Sequence, residues 1–376
     1  MGIKNLHHFL RKTCPSVYST VPISKYAFKK IAIDTSIFMC KYKSSNGNSY
    51  IDSFLHLISV LRYNEVHFVF VYDTKAPPEK DLERKQRLEA REKNKVRVER
   101  IMETWYNYKQ EHSLTEESIL ENTSLNIEDE VLLGFIIKLI DTDNTISIKK
   151  IDLEIHKLQN SILSIRTEDF NLTKEFFKAC NIPFIDAEGE AEATCASLVR
   201  QGLVTAVLTE DTDVLAYKAP IMLHKMDILK GTFMEIDYEE ILNQLQFTDS
   251  QFLDFCIMCG TDYNTNIFKI GPDKAYKLLQ QHGSIEAIQE ANPNISISTL
   301  NYEKTRSLFD HNVNYNINIP YCGFPNKVEF EKLYFVNNCK FDLEKLYSSF
   351  HFSVFHDFEF KQTETNEKKK NLLLRS

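Results

Sequence analysis

Three short apolar runs in this chain close on aspartate. Lys30–Asp34 (KIAID) ends at Asp34, Val66–Asp73 (VHFVFVYD) ends at Asp73, and Val204–Thr209 runs into Glu210, Asp211 and Asp213. Their β-branched and aromatic residues read as strands. In an open parallel sheet the site lies outside the carboxyl ends of the strands. Carboxylates gathered there repel one another strongly unless a divalent cation sits among them. Hard oxygen ligands of this kind select Mg2+ or Mn2+. The plainer alternative is that each strand-end aspartate caps the helix that follows it. That reading suits one aspartate; three of them with Asp213 favour a shared site. The segment IDAEGEAEATCASL adds Glu188, Glu190 and Glu192. Helical spacing pairs Glu188 with Glu192, so spacing leaves open which two point inward. Glu188 is equally suited to stabilising a helix start. None of the histidines falls in a motif, and they read as structural or surface groups.

The elements that would position these carboxylates alternate between strand and helix. Between the first two strands, Ile51, Phe54, Leu55, Ile58 and Leu61 give Tyr50–Arg62 a helical apolar face. Pro77 and Pro78 then stand where a helix would begin, and Glu79 to about Tyr108 contains neither Gly nor Pro. From about Glu111 to Lys157 the pattern weakens into an acidic, partly helical insertion. Regularity returns with a helix over Thr167–Cys180, strand Ile182–Asp186, and a helix over Glu188–Gln201 stopped by Gly202. After strand Val204–Thr209 come two more strands, near Ile221–Met226 and Thr232–Ile236, and helices from Tyr238 to about Glu290. This alternation predicts an α/β core with a mainly parallel sheet. The residues beyond are rich in Asn and aromatics and end in the basic KKKNLLLRS.

Composition bounds the function classes. The 376 residues are 43% hydrophobic and 26% charged, an ordinary globular balance. The longest apolar run, Val131–Ile140, contains Lys138 and is too short to cross a bilayer. The opening MGIKNLHHFLRK lacks an apolar signal core, and Leu6 stands where a myristoylation motif wants Ser or Thr. The expectation is an intracellular protein with no membrane partner, its eight cysteines reduced. Cys256 and Cys259 form a lone C-x-x-C without the second pair of a zinc site. A net charge of −8 argues at first against nucleic acid. Residues 101–168, however, hold thirteen acids against six basic residues and so carry −7 of that balance. The remainder is near neutral, and its basic patches must be read locally.

The segments VYDTKAPPEK, IDAEGEAEATCASL, LTEDTDVLAY, CGTDYN and IGPDKAYKLL occur in this order. With the opening MGIKNLHHFLRK and IAIDTSIFM they resemble the XPG/flap-endonuclease family of structure-specific 5′ nucleases, over about residues 1–100 and 166–290. The resemblance implies an α/β fold: a parallel-sheet, PIN-like 5′-nuclease core with a helical arch insertion and a helix–turn–helix DNA-binding element. The core would span residues 1–290. Within it, residues 1–100 would form the N-terminal region, about 79–166 the arch, and 167–290 the internal region, with the helix–turn–helix near 256–290. Residues 291–376 would be an extension with a basic tail. Matched position by position, seven residues become metal carboxylates: Asp34, Asp73, Glu190, Glu192, Asp211, Asp213 and Asp262. Glu190 and Glu192 match the family's EAEA pair, which decides against Glu188, and Asp73 matches its FDG acid with Thr74 in place of Gly. In such enzymes two Mg2+ ions, with Mn2+ as a substitute, flank one phosphodiester. One is held mainly on the Asp34/Asp73 side and the other on the Asp211/Asp213 side, with Glu192 between and Glu190 and Asp262 acting partly through water. Two ions about 4 Å apart activate a water and neutralise developing charge without a protein nucleophile.

Lys80, Arg84, Arg87, Arg91 and Lys95 fall on one helical face. Interspersed acids also suit a plain salt-bridged helix. The resemblance makes Lys80 and Arg87 the catalytic cations that grip the scissile phosphate, and places Arg84, Arg91 and Lys95 along a single strand. Gly271 and Pro272 at a helix start expose N–H groups to an anion. In the family this element holds duplex phosphates and a monovalent cation, so Lys269, Gly271 and Lys274 are the expected duplex contacts. Lys269 replaces the family's earlier Gly, which weakens the cation site or adds a direct phosphate contact. Cys40 replaces a base-stacking aromatic, with Tyr42 nearby, and Trp105 is expected to anchor packing. The family's sliding-clamp peptide is not evident in the tail. The expected protein is a monomeric, metal-dependent endonuclease or 5′→3′ exonuclease acting on branched or 5′-ended DNA in replication, repair or recombination. It would work in the nucleus or another site of DNA replication. The rivals are a junction-resolving nuclease, an RNA nuclease of similar topology, and a non-catalytic DNA-binding scaffold; the full carboxylate set argues against the last.

Overall fold

The computed structural model describes residues 2–121, 125, 127–311 and 313–350. The basic run Lys368–Lys370 lies outside them. The strands, in chain order, are β1 (Tyr18–Pro22), β2 (Lys30–Asp34), β3 (His67–Tyr72), β4 (Ile119–Glu121), β5 (Thr145–Ser147), β6 (Phe184–Asp186), β7 (Ala206–Leu208), β8 (Ile221–Asp227) and β9 (Thr232–Asp237). The helices are α1 (Leu6–Thr13), α2 (Thr35–Asn46), α3 (Tyr50–Tyr63), α4 (Asp81–Glu111), α5 (Glu130–Ile137), α6 (Ile148–Ser161), α7 (Thr167–Ala179) and α8 (Ala191–Arg200). They continue with α9 (Asp213–Ala216), α10 (Tyr238–Leu245), α11 (Asp249–Cys259), α12 (Pro272–His282), α13 (Ile285–Ala291), α14 (Tyr302–Phe309) and α15 (Lys327–Val336). The chain divides into two units. The first takes the residues up to Phe38, Phe54–Asp81 and the residues from Glu168 onward; the second takes Met39–Ser53 and Leu82–Thr167.

In the first unit a seven-stranded sheet runs in the order β1-β9-β8-β7-β2-β3-β6. The pairs β8/β7, β7/β2, β2/β3 and β3/β6 are parallel, while β9 pairs antiparallel with β8 and with β1. Ile31, Ala32 and Ile33 are all fully buried, because helices cover both faces and a parallel strand can then be apolar throughout. Ile33 stands opposite Phe70 on one side and Leu208 on the other. This register delivers Asp34, Asp73 and the Thr209–Asp213 turn to one edge. Glu188–Glu190 are not helical, contrary to the sequence expectation. Gly189 takes φ +109°, so α8 starts at Ala191 with Glu190 as its N-cap. The segment after α14 packs on this unit: the Cys322 N–H donates to His67 Nδ1, the Asn326 N–H to the Ala179 carbonyl, and Phe330 meets Phe176.

The second unit has its own core. The exposed first half of α4 gives way to Val98, Ile101, Trp105 and Tyr108, which are buried. The last three pack with Leu132 and Ile136 of α5 and with Ile148, Ile151 and Ile155 of α6. β4 and β5 pair antiparallel beside them. Trp105 is buried, its Nε1–H donating to Asp152 at 2.7 Å.

Candidate active site

The strand ends set out the first carboxylates. Asp34, buried at the end of β2, accepts from Thr209 Oγ1 at 3.1 Å and, more weakly, from the Ile37 N–H at 3.4 Å. Asp73 accepts from the Ala191 N–H at 2.6 Å and so caps α8, not the helix that follows it in sequence. Thr74, standing where the family has Gly, laces this edge to the next: its hydroxyl donates to the Ala187 carbonyl at 2.7 Å, and its N–H to the Gly189 carbonyl. Asp211 accepts from the Asp213 N–H at 2.9 Å. Both carboxylate oxygens of Asp213 are buried without a hydrogen-bond partner.

The remaining acids surround a lysine. Lys80 Nζ lies 2.5 Å from Glu190, 3.2 Å from Glu192 and 3.5 Å from Asp262. It also sits over the Tyr263 ring, 5.1 Å from the centroid. The Tyr263 hydroxyl donates to Glu190 and shares a 2.6 Å hydrogen bond with the Tyr217 hydroxyl. Asp262 and Tyr263 follow the turn at Gly260, where φ is +96°. Burial, joined by the charges of Asp73 and Asp211, raises the Asp34 pKa well above the usual carboxylate range. Burial likewise raises Asp213, with Asp211 and Asp262 adding to it, and raises Glu192 against the opposing pull of Lys80. Burial opposes the Lys80 ammonium, yet Glu192, Asp213, Glu190 and Asp262 together hold its pKa above the ordinary lysine value.

Three of the seven carboxylates thus close on one lysine, and the other four stand at the neighbouring strand ends. The donors are all oxygen, mostly buried, and Asp213 is unsatisfied, which suits divalent cations. Among the described residues no three His, Cys, Asp or Glu already stand at the spacing of a single ion. The Lys80 ammonium holds Glu190, Glu192 and Asp262 instead. Sequence reasoning missed Gly2, which it weighed only as a lipidation signal. Gly2 has φ +81°, and a Cβ there would overlap Asp211 Oδ1 and lie 2.7 Å from the Asp213 N and Oδ1. A glycine at the second position was the available signal.

The other expected residues belong to other elements. Arg84, Arg87, Arg91 and Lys95 are on the exposed stretch of α4 in the second unit. Arg87 pairs with Glu83 one turn back, Arg91 donates to the Leu163 carbonyl at 3.0 Å, and Lys95 reaches Glu99 at 4.0 Å. Cys40 is exposed and Tyr42 partly buried. In the first unit, Lys269, Gly271 and Lys274 are exposed at the start of α12. Lys269 has φ +62°, the conformation a glycine would favour. Gly271 has an ordinary φ of −96° and open space where a Cβ would go.

A buried carboxylate cluster at the carboxyl edge of a parallel sheet, neutralised partly by a lysine from the following helix start, defines a phosphodiesterase-type nuclease core. Residues 1–94 match the family model described as the XPG N-terminal domain, and residues 181–262 the XPG I-region. These two stretches contain all seven carboxylates and Lys80. A protein of Invertebrate iridescent virus 3 named "Probable RAD2-like endonuclease" is 33% identical over 332 residues, covering 82% of this chain and 85% of its own. Flap endonuclease 1 of Scheffersomyces stipitis is 26% identical over 332 residues, covering 82% and 75%. Among solved structures, the catalytic core of Rad2 in complex with DNA substrate superposes with a TM-score of 0.59 at 15% identity, covering 89% of this chain and 95% of that one. Flap endonuclease-1 from Methanococcus jannaschii gives 0.56 at 18% identity, covering 89% and 94%. The chain belongs to the XPG family, and its fold is the parallel-sheet nuclease core that the motifs led us to expect.

Proposed function

We propose that this site hydrolyses phosphodiesters of branched or 5′-ended DNA with two divalent ions, Mg2+ or Mn2+ in its place. The protein is a structure-specific 5′ nuclease, as its family membership indicates. The observation that carries the metal reading is the pair of buried, unpartnered oxygens on Asp213 beside Asp211, in a cluster whose acids outnumber its cation. Asp34 and Asp73 would hold one ion and Asp211 and Asp213 the other, with Glu192 between. Bound there, the ions supply an activated water and offset charge on the phosphate.

The chain's own groups do the rest. Thr209 orients Asp34, and Tyr263 orients Glu190. Lys80 carries a positive charge held at the cluster and available to a phosphate that enters it. Arg87 would join Lys80 on the scissile phosphate, the exposed cations Arg84, Arg91 and Lys95 would follow a single strand, and Lys269, Gly271 and Lys274 would meet duplex phosphates. On this reading the stretch Leu82–Thr167 of the second unit would serve as the arch. The test is digestion of labelled flap, nicked, blunt, four-way and single-stranded substrates in Mg2+. Asp211→Asn should bind flap DNA normally and lose cleavage by orders of magnitude, and EDTA should do the same to the wild type. Undiminished cleavage in either case would refute the metal reading.

A further inference from the structure

The second unit carries a groove that the reaction above does not use. On α4, Glu99, Met102, Glu103 and Tyr106 follow helical spacing and share one face. With Trp105, and with Ile155 from α6, this face encloses a cavity of about 900 Å3. Its floor is apolar. Tyr106 is 62% exposed at its edge, whereas Trp105 beneath is 3% exposed. The cation in the lining, Lys109, is already bound to Asp152 at 2.7 Å, which also takes the Trp105 N–H. The acids of the rim are less committed. Glu99 reaches only Lys95, at 4.0 Å, and Glu103 has no ion pair among the described residues.

We propose that this groove docks a protein segment: an amphipathic helix whose leucine-type anchors enter the apolar floor and whose lysines or arginines meet Glu99 and Glu103. The length fits. The lining runs from Glu99 to Leu114, roughly 20 Å of helix at 1.5 Å per residue, enough to seat three to four turns of a partner. The charge decides between partners. Residues 101–168 carry a balance of −7, which repels a phosphate backbone and attracts a cationic peptide. An exposed tyrosine beside a buried tryptophan supplies the aromatic anchor that such interfaces use.

Trp105 is the chain's single tryptophan, so its emission reports the groove directly. The probe is a peptide of about 14 residues with leucines at helical spacing and lysines elsewhere, titrated into the full chain. Trp105 emission should change saturably, and the affinity should fall at least about tenfold in Tyr106→Asp and in Glu99→Lys/Glu103→Lys. A scrambled peptide of the same composition should have no effect. Tyr106→Asp should cleave flap DNA at the wild-type rate, which shows that the variant is folded. Four outcomes overturn the proposal: no emission change up to about 1 mM peptide; an equal response to a glutamate-for-lysine peptide; displacement of the peptide by a single-stranded oligonucleotide, which makes this a DNA surface; or an emission change that tracks self-association without peptide, which makes it a dimer face.

Discussion

Replacing Lys80 with methionine keeps most of its aliphatic stem and strips three buried carboxylates of their counter-ion. The ammonium lies 2.5, 3.2 and 3.5 Å from Glu190, Glu192 and Asp262. At an effective dielectric constant near 20, each such pair is worth roughly 5–7 kcal/mol before desolvation. Desolvation of the four groups cancels most of that. Breaking a buried network by removing one partner leaves a net loss of about 3–5 kcal/mol. Proton uptake by the acids limits the loss, because burial already raises the pKa of Glu192 and Asp213. The lower end is therefore expected in EDTA at neutral pH, a fall of roughly 4–5 °C in the melting midpoint of a chain this long. Divalent ions should stabilise Lys80→Met more than the wild type, because no ammonium has to leave the carboxylates first. At saturating Mg2+ the variant should cleave about 10²–10³-fold more slowly in single turnover. The measurements are calorimetric melts of both proteins in EDTA and in Mg2+, together with that rate. An unchanged midpoint in EDTA would mean that the ammonium does not hold the cluster.

Gly2→Ala should impair cleavage far more than stability. Its Cβ would push on Asp211 and Asp213, and a displacement near 1 Å costs about 10²-fold in rate; an unchanged single-turnover rate would show that the pocket yields freely. Lys269→Gly should act in two directions. It relieves the φ of +62°, adding up to about 1 kcal/mol of stability, and it lowers the salt slope of flap binding by about one unit; an unchanged slope would place Lys269 in solvent. His7 should make stability depend on pH. Burial first, then the charges of His224, Arg11 and Lys225, push its pKa down to about 3, and its Nδ1 is tied to the Tyr18 hydroxyl. Glu210, 3.5 Å from His224, is the acid on that side. A base with a depressed folded pKa leaves the unfolded chain to bind the proton. Stability is therefore full above about pH 6.5 and lost as pH falls toward 3, by at most about 1.4 kcal/mol per unit. Denaturant midpoints between pH 7 and 5 should show this slope, and His7→Leu should flatten it.

Legibility in the sequence followed the range of the forces involved. β2 and β3 could be read because a strand buried on both faces needs a continuous apolar run, and Ile31–Asp34 and His67–Tyr72 are buried throughout. β1 could not: it is an edge strand, mostly exposed, and ends in Pro22. Asp34, Asp73, Asp211 and Asp213 were legible because strand ends in a parallel sheet face a common crevice. The choice among Glu188, Glu190 and Glu192 was not, because Gly189 shifts the helix start, and the family motif had to settle it. Asp262 follows the buried helix α11, and its relation to Lys80 depends on contacts far off in sequence. Gly2 is constrained by Asp211 and Asp213, which are far from it in sequence. The β4/β5 ribbon has three residues in each strand, too few to leave a period.

β2 has one neighbour close in sequence, β3, and one far downstream, β7. Asp34 and Asp73 therefore leave the ribosome long before Asp211 and Asp213 exist to complete their site. Between them comes a segment whose core, from Ile101 to Ile155, closes on itself. Such near-range contacts form quickly, whereas the β2/β7 pairing is non-local and slow. Once the inserted unit has folded, the search for β7 no longer runs over a loose loop of that length but over a fixed span, which lowers the closure entropy. The hydrophobic residues of the insertion thus govern how fast, and with what exposure to aggregation, a nascent chain assembles a carboxylate cluster to which they contribute no ligand.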